Sequence, residues 1–182
     1  MSDELSDAPE SLAGGRRLEL VELDVGGMSR RQLLAALQSR RVLLNAHAET
    51  LLAHPVFDQR SGEPIRVVER MVADLGFAGG ATLPEIFSAA VDQGLALCPP
   101  DTGPYLRLTW AAQANSSNSV LSAGQSPEGA LVVASVPLSD DDDYPKGFYL
   151  RVVEGQQWLR GYRCDDLYVH SPADRFAFRQ AS

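Results

Sequence analysis

The stretch FYLRVVEGQQWLRGY, residues 148–162, constrains the fold more than any other part of this chain. Side chains of contrasting character alternate on either side of Glu154-Gly155. Successive side chains of a strand point to opposite faces of its sheet, so this pattern predicts strands at 148–153 and 157–162 joined as a hairpin. Alternation sets Tyr149 and Arg151 against Phe148 and Leu150, and puts Trp158, Arg160 and Tyr162 on one side. The same period runs through YLRLTW, residues 105–110, where Tyr105, Arg107 and Thr109 oppose Leu106, Leu108 and Trp110. Residues 131–138 (LVVASVPL) are predicted as the partner strand of 105–110, across a Ser/Asn/Gly-rich hairpin loop at 115–128. Phe176 to Phe178 is predicted as an added edge strand. The C-terminal half thus reads as an antiparallel sheet with an apolar core face and an outer face bearing arginine and tyrosine.

Helices are signalled earlier in the chain. Residues 18–25 (LELVELDV) alternate as a first strand, ended by Gly26-Gly27. Ser29 is placed to cap a helix carrying Leu33, Leu34 and Leu37, and Asn45 a second helix that His54-Pro55 terminates. Thr82-Leu83-Pro84-Glu85 has the form of a capping box, with proline in the first turn, and its helix runs to Gly94. Residues 65–75 (IRVVERMVADL) combine helical spacing with β-branched content, and we read them as strand. Helices and a strand followed by an antiparallel sheet predict an α+β fold, with the N-terminal strand and helices packed on a mostly antiparallel C-terminal sheet. Residues 1–17 read as a disordered acidic leader, 18–178 as one domain and 179–182 as a flexible tail.

Charge location narrows the range of partners. The net charge of −8 equals the eight acids of two stretches, Asp3, Glu4, Asp7 and Glu10 and the run Asp140 to Asp143. What remains is formally neutral, with no basic footprint for nucleic acid. No stretch approaches the roughly 20 consecutive apolar residues of a membrane span. The first seventeen residues place acids before arginines, the wrong order for a secretory signal, so the cytoplasm is the expected location. Cys98 and Cys164 lie in no Cys-x-x-Cys pair and read as free thiols, at least one of them buried.

The strings LGFAGGATLPEI, GLALCPPDTGPYLRL, GFYLR and WLRGYRCDD, with most of residues 18–178, resemble a family of uncharacterised bacterial proteins. The resemblance implies a bacterial origin and one fold across the body, and no chemistry. Some members carry a helicase label, but this chain has no Gly-x-x-x-x-Gly-Lys-Ser/Thr phosphate loop.

Two groups of residues are candidates for a site. In RGYRCDDLYVH, the residues Cys164, Asp165, Asp166 and His170 have the chemistry of a small metal-dependent or thiol hydrolase or nuclease. Against this, alternation throws Asp165 and Asp166 to opposite faces, and the same residues also read as a solvated turn capped by Asp with an exposed His170. The second group is the arginine and aromatic set of the sheet: Tyr105, Arg107, Tyr149, Arg151, Trp158, Arg160 and Tyr162. Arginine suits carboxylate and phosphate, and Arg, Tyr and Trp dominate binding hot spots; long side chains covering one another on a solvated sheet are the plain alternative. The Asp140 to Asp143 run lacks the spacing of a calcium loop and reads as a solvated loop. His47 and His54 read as surface histidines, and Cys98 as a packed thiol. With no convergent nucleophile and base, the expected function is a non-enzymatic binding module for a protein or small anionic ligand. No metal or cofactor is expected.

Overall fold

The computed structural model describes residues 18–59, 61–116 and 126–182; the leader predicted at 1–17 and most of the loop predicted at 115–128 lie outside them. The strands are β1 (Val21–Val25), β2 (Leu43–Leu44), β3 (Glu63–Met71), β4 (Ala81–Thr82), β5 (Leu95–Ala96), β6 (Leu131–Val133), β7 (Gly147–Val153), β8 (Gln156–Tyr162), β9 (Val169–His170) and β10 (Arg175–Gln180). The helices are α1 (Arg30–Ser39), α2 (Ala46–Leu52), α3 (Val56–Gln59), α4 (Leu83–Asp92) and α5 (Thr102–Thr109). The fold is α+β around one mixed sheet of order β1-β3-β10-β6-β7-β8-β2, with β5 beside the end of β10 and a separate β4-β9 pair. Only β10 with β6 and β2 with β8 run parallel among these pairs.

Local signals build several elements as expected. Ser29 and Gln32 exchange hydrogen bonds as a capping box on α1, and Thr82 and Glu85 do the same on α4. The Asn45 side chain accepts the Ala48 N–H at the start of α2. Glu154 and Gly155 both take positive φ, 51° and 76°, the conformation that joins β7 to β8 without splaying them.

Three expectations are corrected. Residues 105–110 are not a strand: 105–109 form most of α5 and Trp110 is its C-cap, and the helix's first turn holds Pro104. Proline there loses only an N–H that has no helical partner, so Gly103-Pro104 starts a helix instead of breaking one. Residues 131–133 accordingly pair with β7 and β10, and not with 105–110. Phe176 to Phe178 is no edge: β10 is central, between β3 and β6, and runs past Phe178 to Gln180. The N-terminal strands β1 and β3 belong to this same sheet, so it is not confined to the C-terminal half.

Both faces of the sheet are covered. Phe148, Leu150 and Leu159 pack with Leu33, Leu37, Leu51 and Leu106 of α1, α2 and α5. Tyr149, Val132, Phe176 and Phe178 pack on the other side with Ile86 and Ala90 of α4. Central strands buried on both sides need apolar residues at successive positions, hence the run Leu131 to Val133.

Candidate ligand-binding site

Register within the β7-β8 hairpin decides which arginines and aromatics meet. Tyr149 lies opposite Arg160, and Arg151 opposite Trp158. The face shared by Tyr149, Arg151, Trp158, Arg160 and Tyr162 is therefore real, but it is not an open surface, because residues 116 and 128 close over Arg151. Tyr149 and Arg151 are buried, while Trp158, Arg160 and Tyr162 are half-buried. Tyr105 and Arg107 are absent from this face and buried within α5, a consequence of that segment being helix.

Arg107 and Arg151 are spent on backbone and side-chain oxygens of the segments beside β7. The Arg107 guanidinium is 1% exposed and donates to Trp110 O at 2.6 Å and Gln113 Oε1 at 2.7 Å. Gln113 in turn donates to Gly129 O and Leu150 O. Burial pulls the Arg107 pKa down to about 10, still far above neutrality. Arg151, 2% exposed, donates from Nε to Glu128 O and Ser116 Oγ. The two cations clamp residues 113–116 and 128–129 against β7, beyond the first residue of β6.

Arg160 has a different environment. Its Nε–H donates to the Tyr149 hydroxyl at 2.9 Å, and its guanidinium lies 4.7 Å from the centre of the Trp158 ring. Neither contact uses the two terminal nitrogens, which have no partner among the described residues. Arg160 lines a cavity of about 750 Å³ together with Tyr149 and Tyr162, Asn45 and His47 of the α2 end, Ala130 and Val132, and Arg163, Cys164, Asp165, Leu167, Tyr168 and His170. Burial, then Arg163 and Arg160, hold His47 below the ordinary imidazole pKa, so it is neutral at pH 7. Arg163 is half-committed, 3.6 Å from Asp143 Oδ1.

The two groups of candidate residues thus meet at one place: Tyr149, Arg160 and Tyr162 from one, Cys164, Asp165 and His170 from the other. Asp166 is not in the lining and is exposed. The second group is poorly arranged for chemistry. Burial pushes the Cys164 thiol up to about 11; Lys146 opposes this weakly, and Asp165 and Asp166 add to it. Asp165 Oδ1 accepts the N–H groups of Leu167 and Tyr168 and so holds a turn. His170, expected exposed, is 2% exposed, because it pairs with Ala81 as β9 and sits edge-on to the Tyr168 and Phe176 rings. Ser126 Oγ and Asp174 Oδ2 both lie 3.4 Å from the same nitrogen, His170 Nδ1. A Ser-His-Asp relay needs one on each nitrogen, so this trio cannot act as one. Among the described residues no group of three or more His, Cys, Asp or Glu is placed to hold a metal ion.

The remaining expectations resolve as follows. The aspartate run is not merely solvated: Asp142 pairs with the buried Lys146 at 3.0 Å. Cys98 is buried with its thiol pushed up to about 12, and neither cysteine is in a disulfide. His54 accepts the Val56 N–H, whereas His47, read as a surface residue, stands in the cavity wall. Gly161 was the available signal for that placement, since glycine inside a strand marks a close backbone approach. A Cβ there would lie 2.7 Å from His47 C. Asn45 seals the approach by accepting the Gly161 N–H and donating to Gly161 O.

No family model, curated protein or solved structure matches the chain. No helix among the described residues is long and apolar enough to cross a membrane.

Proposed function

We propose that the chain is a non-enzymatic binding module that holds a small anionic ligand in this cavity, with Arg160 as its anchor. The observation that carries the reading is the state of the Arg160 guanidinium: held by Tyr149 and Trp158, with no partner for either terminal nitrogen among the described residues. An arginine fixed on two sides loses little freedom on binding and offers two parallel N–H groups to a carboxylate or phosphate. The volume lies within the range of small-molecule sites, and an apolar lining with a few convergent polar groups is their usual composition. Tyr149, Trp158 and Tyr162 serve the anchor and the walls. Arg107, Arg151 and Tyr105 support the scaffold. A small anion is favoured over a protein partner because the arginine face opens into a cavity instead of onto a flat surface.

Calorimetric titration of the full chain with a panel of small carboxylates and phosphate esters tests this. At least one should bind the wild type, and Arg160→Gln should lose that binding while melting close to the wild-type temperature. Silence from every anion, or undiminished binding by the variant, would overturn the proposal.

A further inference from the structure

We infer that the ligand is a monocarboxylic acid with an apolar or aromatic body, which rests on the reading of the cavity as an anion site and narrows its chemistry. Charge in the lining sets the valence of the ligand. Two guanidinium groups and one carboxylate line the cavity, those of Arg160, Arg163 and Asp165. Arg163 lies 3.6 Å from the Asp143 carboxylate, whereas Arg160 has no carboxylate within ion-pair distance among the described residues. His47 adds no charge at pH 7, since burial and both arginines oppose its protonation. Arg160 is therefore the cation of the lining with no carboxylate partner among the described residues, a place for one negative charge. A dianionic phosphate ester would bring a second charge into a lining that already holds the Asp165 carboxylate and whose other guanidinium, Arg163, already lies 3.6 Å from Asp143, which is costly.

The Arg160 Nε–H is already taken by Tyr149, so only the terminal pair is offered, and a planar carboxylate can accept both of its N–H groups side by side. About 750 Å³ is many times the size of a carboxylate head group alone. Beyond the head, the available walls are Ala130, Val132, Leu167 and the Tyr162 and Tyr168 rings, a lining suited to an apolar body. The Tyr162 hydroxyl has no partner among the described residues, and burial pushes its pKa up, so it stays a neutral donor beside that body.

The test is a matched set of probes titrated calorimetrically into the full chain at pH 7: 4-phenylbutyrate, 4-phenylbutyl phosphate, 4-phenylbutan-1-ol and acetate. 4-Phenylbutyrate should bind at least about tenfold tighter than each of the other three, because each lacks either the single charge or the body. Arg160→Gln should weaken 4-phenylbutyrate by at least about tenfold and leave the alcohol unchanged. Tighter binding of the phosphate ester would overturn this inference while leaving the anion site standing. Acetate binding as tightly as 4-phenylbutyrate would remove the apolar body. Binding by no acid at all would overturn both the inference and the anion site.

Discussion

Arg151 and Arg160 stand on adjacent strands of one hairpin, on the same face, and do opposite things. Arg151 has Trp158 across from it, is sealed by the packing of residues 116 and 128, and donates to backbone and hydroxyl oxygens. Arg160 has Tyr149 across from it and lines the cavity, with no partner for its terminal nitrogens among the described residues. Arg107, reaching the same loop stems from α5, behaves like Arg151. What separates a structural arginine from the cavity-lining one here is neither residue type nor strand face. It is whether the second layer closes over the side chain and supplies oxygens to it.

Removing a structural arginine should cost most. Arg107→Met deletes the donors to Trp110 O and Gln113 and leaves those buried acceptors unmatched, so it should lower unfolding free energy by about 3 kcal/mol in urea. Arg160→Gln should cost no more than about 1 kcal/mol, the scale of a half-buried contact with an indole ring. Equal losses would erase the distinction drawn between the two regions. Gly161→Ala is expected to come next, at about 2 kcal/mol, since the new Cβ would meet His47 and Ala48 backbone at 2.7 and 2.8 Å. It should also weaken 4-phenylbutyrate binding, because α2 would be pushed off the cavity wall. An unchanged melting curve would show that α2 does not rest on β8 as closely as described.

The smallest effect concerns the thiol in the cavity. Its pKa, pushed up to about 11 by burial, leaves less thiolate at pH 8 than an ordinary cysteine has, so alkylation of Cys164 should be about a hundredfold slower than that of an unstructured thiol. The rate should climb with pH up to that pKa. Rapid labelling at pH 8 would mean an activated nucleophile and would reopen the hydrolase alternative.

The parts legible in the sequence were those specified locally. The hairpin at Glu154-Gly155 and the capping boxes at Ser29 and Thr82 need only a few neighbouring residues, and all are present. The pattern YLRLTW misled because six residues fit a strand's alternation or one and a half helical turns; the deciding residue was Pro104, at a first-turn position. The central place of β10 depends on pairing Phe176 with Arg70 on one side and Val132 on the other, contacts far apart in sequence that no local pattern carries. Alternation did sort Tyr149, Arg151, Trp158, Arg160 and Tyr162 onto one face. It could not say that residues 116 and 128 would close over Arg151, nor that residues from 163–170 would line a cavity with Arg160. The two sets of candidate residues were legible singly, and their convergence on one cavity was not.

The most direct measurement follows the Nε–H resonances of the arginines by nitrogen-edited NMR while 4-phenylbutyrate is added to the full chain. If depth alone divides these guanidinium groups, the Arg160 signal shifts and saturates with the ligand, whereas those of Arg107 and Arg151 stay in place. A titration in which Arg160 remains still, or in which the two buried arginines move as far as it does, would contradict that division.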